Sequence, residues 1–286
     1  MRGRQRKAGA AVLVIGAVAA SVALARDSQH TVVPYSAEGH TLYGLRPTAV
    51  GLPDIGESGT VGVTALPTSL RAYHDTGAYA RDLSAVDGAA MGYVEQRLRL
   101  AHKGTRFCTT SYLPVRKIPG HGTLYGRVHR CRTQTMPLTG KPAIVLDIDE
   151  TSLSNYADLA AHGFDASALA LSAVNGDGTA IAPTLRLYRA AISRHVAIFF
   201  VTGRPSAIDS ATQSNLRHAG FDRGWNALYE KPTGVGTEQF KSATRAAIEK
   251  RGYDIVANVG DQQSDLDGAH ADRDFKLPDP FYFISD

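Results

Sequence analysis

Ala143-Ile144-Val145-Leu146-Asp147-Ile148-Asp149-Glu150-Thr151 is the stretch on which the reading of this chain turns. Four apolar residues in a row describe a strand buried on both faces, as in a parallel sheet. The run ends on two aspartates two positions apart. Positions i and i+2 of a strand share a face, so both carboxylates leave the sheet on the same side. In open α/β sheets that carboxyl edge is where ligands bind. A buried strand that stops on two acids needs something to offset their desolvation, and a divalent cation is the usual partner.

Downstream, strand-like and helix-like segments alternate. Val196–Val201, Ala227–Tyr229, Ile255–Val259 and Phe275–Leu277 read as further strands. Helical patterns open at Pro183, Pro205 and Glu238 and fill the gaps. Alternation with long crossovers predicts an α/β fold with a doubly wound parallel sheet. Between residues 152 and 182 a run of small and polar residues, with helical stretches near Tyr156–Leu171, reads as a small cap insert. Upstream, Leu70, Tyr73, Tyr79, Leu83, Val86, Met91, Val94 and Leu98 recur at helical spacing, with Gly77 and Gly88 as weak points. Residues 67–140 are therefore expected to form a helical accessory region whose segment 104–139 is irregular. Residues 26–66, rich in Gly, Pro, Thr and Ser, read as an extended or poorly ordered lead-in. The catalytic core is expected at 141–286.

The net charge of +4 is carried by Arg2, Arg4, Arg6 and Lys7, so the rest of the chain is neutral. With no basic stripe interleaved with aromatics, nothing argues for nucleic acid. Ala8–Ala25 carries no charged residue and ends Val22-Ala23-Leu24-Ala25. A basic start, an apolar run and an A-x-A end make residues 1–25 a signal peptide cleaved before Arg26. An uncleaved anchor is the alternative, since about 18 apolar residues just span a bilayer. Either way the remainder lies outside the cytoplasm, secreted or extracytoplasmic, without stable membrane association once the signal is cleaved. In that oxidising setting the only two cysteines, Cys108 and Cys131, are expected to form one disulfide worth roughly 3 kcal/mol.

Three predicted strand ends carry a shared chemistry. The first ends Asp147-x-Asp149-x-Thr151, the second Thr202-Gly203-Arg204-Pro205, the fourth Gly260-Asp261-x-x-x-Asp265. Together they put four carboxylates, a hydroxyl and the N–H groups of a helix start at one crevice. Carboxylates alone repel phosphate, but carboxylates holding Mg²⁺ beside anion-binding amides attract it. No Gly-x-Ser-x-Gly elbow or P-loop competes, and the ten histidines are scattered. A calcium loop would need Gly where Ser152 stands.

DIDET, VTGRP, a downstream lysine and VGDQQSD resemble the four motifs of the haloacid dehalogenase (HAD) superfamily of phosphatases. FKSATRAAIEKRGYDIVANVGDQQSDLDG followed by FKLPDPFYFIS is similar to its secreted acid phosphatase branch, with the class B and class C acid phosphatases and plant vegetative storage proteins. The resemblance covers about residues 70–286 and is strongest from 141 on. It implies an Mg²⁺-dependent hydrolysis of small-molecule phosphomonoesters through an aspartyl-phosphate. Asp147 would be the nucleophile and Asp149 the general acid and base. Asp147, the Asp149 carbonyl, Asp261 and Asp265 would hold Mg²⁺. Thr202 and Gly203 would bind phosphate, and a lysine would neutralise charge. Lys241 fits the motif position, while Lys231 at the end of the third strand is the other candidate. Arg245, one turn after Lys241, could pair with a nearby carboxylate. A phosphotransferase is not separated from a hydrolase by these motifs. A storage or binding protein on the same scaffold is the third reading, although storage members can lack the nucleophile and this chain keeps Asp147.

Overall fold

The structure is a computed structural model that describes residues 32–37, 40–45, 67–118, 122–278 and 280–282. In chain order, β1 (Val32–Ala37) and β2 (His40–Leu45) form a hairpin. Helices α1 (Pro67–Asp75) and α2 (Ala78–His102) follow, then a second hairpin, β3 (Thr105–Ile118) and β4 (Gly122–Gln134). After β5 (Lys141–Leu146) comes an insert containing β6 (Leu153–Ser154), α3 (Tyr156–Ala161), α4 (Ser167–Asn175) and β7 (Thr179–Ala180). The chain continues through α5 (Ala182–Ser193), β8 (Ala197–Pro205), α6 (Asp209–His218) and β9 (Ala227–Lys231). It then runs through α7 (Thr237–Lys250), β10 (Tyr253–Gly260) and β11 (Asp274–Lys276).

The main sheet has the order β1-β2-β11-β10-β5-β8-β9. All neighbours in it pair parallel except β1 with β2. The acid-ended strand β5 lies between β10 and β8, so its end is flanked by the two other motif-bearing strand ends. Alternate residues of β5 feed two cores. Ile144 and Leu146 pack with Val86 of α2, Leu187 of α5 and Leu216 of α6. Ala143 and Val145 pack on the other face with Ile248 and Phe240 of α7. Helices on both faces make the sheet doubly wound, and each such buried Leu, Ile or Phe stabilises by about 1.5–3 kcal/mol.

Strand β10 carries an irregularity that bears on the site. Its register with β5 steps from Ile255↔Ala143 to Ala257↔Ile144, so β10 holds one extra residue. Ile255 faces the α7 core while Ala257 and Val259 face the opposite one. Without this bulge, residues 255, 257 and 259 would share one face.

Two features depart from the expectations. Region 67–140 is helical only to His102; the segment expected to be irregular is the β3–β4 hairpin. Its described side chains are almost all solvent-exposed, so no apolar–polar alternation marks them for a sequence reading. The lead-in contains a hairpin whose β2 extends the sheet beside β11. Of the two weak points, the helix breaks at Gly77, where φ is +74°, and runs straight through Gly88. The 1–25 segment lies outside the described residues, among which no helix is long and apolar enough to cross a membrane.

Candidate active site

The chain leaves β5 through a tight turn. Asp147 N–H donates to the Val259 carbonyl at 3.0 Å, which keeps the aspartate tied to β10. The N–H groups of Ser152 and Leu153 both donate to the Ile148 carbonyl at 2.8 Å. Ser152 Oγ closes the turn by donating to the Asp147 carbonyl at 2.6 Å. Glu150 takes the strain of this turn at φ +49°. Its carboxyl is buried beneath the site, bonded by Tyr79 and the Asn155 N–H, and burial pushes it up to about 8.

Asp147, Asp261 and Asp265 are buried and each offers an oxygen within 4.8 Å of the others. Lys241 of α7 donates to Asp147 Oδ1 at 2.6 Å and also to Asp265 Oδ1. Burial works against charge on Lys241, but Asp147 and Asp265 outweigh it and hold the ammonium above the ordinary lysine range. Burial, with Asp265 and Asp261, raises Asp147 well above the usual carboxylate range in spite of Lys241. Thr151 is part of this support: its hydroxyl donates to Asp261 Oδ1 at 2.7 Å. Gly260 makes the packing possible, because a Cβ there would collide with the Asp265 side chain.

Asp149 has a different environment. Arg204 from the end of β8 donates Nη2 to its Oδ1 at 2.7 Å and Nε to its Oδ2 at 3.0 Å. Asn155 Nδ2 donates to Oδ1 at 2.9 Å, and Ser172 Oγ of α4 donates to Asn155 Oδ1 at 2.9 Å. A chain of bonds thus runs from the cap helix to this carboxylate. The third guanidinium nitrogen, Arg204 Nη1, is buried and has no partner among the described residues. Sequence reasoning missed Arg204 and Asn155 as site residues. Arg204 stood inside a motif read for its hydroxyl and its backbone amides.

One cavity of about 290 Å³ joins these groups. Asp147, Asp149, Gly203, Arg204, Lys241 and Asp265 line one end, and α4 lines the other. Thr202 is fully buried and does not line the cavity; its Oγ accepts the Arg204 N–H at 3.1 Å. Lys231 lies apart, its Nζ on the Val235 carbonyl at 3.2 Å. Arg245 does not take a carboxylate partner as expected. It donates to the carbonyls of Asp265, at 2.5 Å, and of Asp267 and Ala269, tying down the turn after Asp261. Cys108 and Cys131 face each other across β3 and β4 and form a disulfide far along the chain from this cluster.

Three buried carboxylates converge with one lysine between two of them, which leaves uncompensated negative charge out of water. All the donors are hard oxygens. The site fits a divalent cation of the Mg²⁺ type. Beside it stand two carboxylates in different settings, Asp147 on Lys241 and Asp149 on Arg204 and Asn155.

The chain is 36% identical over 155 residues to a stem 28 kDa glycoprotein of Glycine max, covering 50% of this chain and 61% of that protein. It is 35% identical over 154 residues to acid phosphatase 1 of Solanum lycopersicum, covering 51% and 60%. A further relative is vegetative storage protein 1 of Arabidopsis thaliana, 32% identical over 148 residues, covering 49% and 54%. The matches thus span about 60% or less of these relatives' length. Among solved structures, the class C acid phosphatase from Bacillus anthracis shares the fold, with a TM-score of 0.51 at 19% identity over 76% of this chain and 85% of that one. A family model described as HAD superfamily, subfamily IIIB (Acid phosphatase) matches residues 127–285, more than half of the chain, and the chain belongs to that family.

Proposed function

We propose that this protein is an Mg²⁺-dependent acid phosphatase that hydrolyses small-molecule phosphomonoesters outside the cytoplasm. The observation that carries the reading is the junction of Asp147 with Lys241 and the Asp261–Asp265 pair, opposite an independently anchored Asp149. Phosphoryl transfer asks for positioning and charge neutralisation more than for elaborate covalent machinery. Asp147, Asp261 and Asp265, with the Asp149 carbonyl, would hold the cation, which when bound would screen the phosphate from the carboxylates.

In this mechanism Asp147 attacks phosphorus and the ester P–O bond breaks. The leaving alcohol takes its proton from the Asp149 carboxyl. The aspartyl-phosphate is then cleaved by water, whose proton passes to Asp149, releasing phosphate and restoring both carboxyl groups. Lys241 offsets charge on Asp147 and on the transferred group. Gly203 N–H and Arg204 Nη1 are the donors available to phosphate oxygens at the cavity, with Thr202 setting the turn that presents them. An alcohol in place of water would make the same site a phosphotransferase. A storage role does not need the Asp147–Lys241 pair. Asp147→Asn removes the nucleophile while conserving size: turnover of p-nitrophenyl phosphate should fall at least about 10³-fold with little change in Tm. Activity near that of the wild type in this variant would sink the proposal.

A further inference from the structure

The cavity has two unlike ends. Beyond the carboxylates its lining is apolar: Leu169, Ala170, Ala173 and Val174 of α4, with Pro205 and Ile208. The α4 positions fall on one helical face. This wall continues to the surface, since Val174 lines the cavity and is also 55% exposed, and Leu171 beside it is 50% exposed. Isolated exposed apolar residues are ordinary, but a strip that runs from a catalytic cavity to the rim reads as a binding surface.

The charges point the same way. Among the described lining residues the only cations are Lys241 and Arg204, and both are engaged, by Asp147 and Asp265 and by Asp149. The one open guanidinium nitrogen, Arg204 Nη1, is taken up by the transferred phosphate, so a second phosphate or a carboxylate on the substrate would meet no further cation among the described lining residues. The polar residues Gln262 and Ser264 adjoin the carboxylate end, and Gln262 Nε2 is committed to Asp261 at 2.9 Å. The one aromatic side chain is Tyr282, whose hydroxyl reaches back to the Asp149 carbonyl at 3.5 Å. That leaves no second ring to sandwich a nucleobase, and only the hydroxyls of Thr237 and Ser264 to meet the several hydroxyls of a sugar.

Building on the phosphatase reading, we infer that the leaving group is an uncharged apolar alcohol: the substrate class is an alkyl-type phosphomonoester whose chain lies along α4 and out past Val174. Nucleotides and sugar phosphates are poor substrates.

The test is kcat/KM for phosphate release by the purified protein with Mg²⁺, across methyl, butyl, hexyl and octyl phosphate, AMP and glucose 6-phosphate. The expected result is a gain of roughly two- to fourfold per methylene until the wall is covered, with octyl phosphate at least about tenfold above AMP and glucose 6-phosphate. Val174→Asp should cut the octyl-to-methyl ratio about tenfold, and Val174→Ile should keep it. A flat chain-length series, AMP or glucose 6-phosphate as the better substrate, or a ratio unmoved by Val174→Asp overturns the inference. Calorimetry with octylphosphonate and methylphosphonate, which cannot be hydrolysed, separates this from the phosphatase reading. Tighter binding of the octyl compound without turnover of any ester upholds the apolar subsite and removes the phosphatase. Turnover without chain-length preference does the reverse.

Discussion

Arg204 shows how one side chain can decide what its neighbour does. It supplies the forked pair of donors that fixes the Asp149 carboxylate, and burial against its charge is outweighed by that carboxylate, which holds the guanidinium above its ordinary value. Arg204→Gln removes both donors and should lower kcat about 10²-fold. Arg204→Lys, which keeps the charge without the fork, should fall between. A kcat within about threefold of wild type in the Gln variant would refute the positioning role. Asp87 is a second telling residue. It is buried on α2, Thr184 donates to it at 3.0 Å, its other oxygen has no partner among the described residues, and burial pushes it up to about 7. An unfolded aspartate ionises near pH 4, so between about pH 4 and 7 the folded chain holds one proton more. Stability should therefore fall as pH rises through that window, by on the order of a few kcal/mol from this group. Asp87→Asn should flatten the fall, which thermal melts at pH 4, 5, 6 and 7 will show; an unchanged slope would remove Asp87 as its source. The acids at strand ends are legible in the sequence because backbone position alone carries them to the site, whereas Lys241 is reached only through its motif position. Asn155 is not, because its role depends on side-chain bonds to Asp149 and to Ser172 seventeen residues on.

At the scale of elements, the bulge in β10 is the device that lets one strand serve a core and a site at once. Ala257 and Val259 pack with Ile144 and Leu146, and Asp261 two residues on joins Asp147. A one-residue slip of a strand sends every side chain to the other face. Deleting Val256 would force that choice on residues 257–261. It should destabilise the protein by about 3 kcal/mol or more in urea denaturation and abolish activity in whatever folds. A variant with native stability and turnover would mean the bulge is incidental. Strands β5, β8 and β10 were readable because burial on both faces writes a continuous apolar run. The β3–β4 hairpin was not, because its described side chains are exposed and write no such run; backbone bonds, the Cys108–Cys131 link and the Thr110–His129 contact join its strands. The short β2 strand was missed because its parallel pairing to β11 rests on two register positions, Leu42 with Asp274 and Tyr43 with Phe275, too little to mark a sequence.

For the molecule as a whole, the proposed cation in the carboxylate cluster would make stability a function of metal as well as of packing. A cation that binds the folded site and not the unfolded chain stabilises by about 2.7 kcal/mol at a hundred times its Kd. Mg²⁺ should raise Tm of EDTA-treated protein and restore its turnover, and Asp261→Asn should remove both effects. A melt indifferent to Mg²⁺ and EDTA would deny the cluster its cation. Charge is also distributed unevenly: residues 103–140 contain seven lysines and arginines and no acid, so the body that carries the site is correspondingly acidic. The insert that roofs the cavity joins that body through a narrow neck, where Leu153 pairs with Ala180 and Ser154 with Thr179. Its entry and exit are thus neighbours, held by two residues on each side. A segment so attached is a cassette. It can be lengthened, shortened or exchanged in evolution or at the bench while β5 and its acids stay in register, provided the newcomer still offers Asp149 the amide that Asn155 provides.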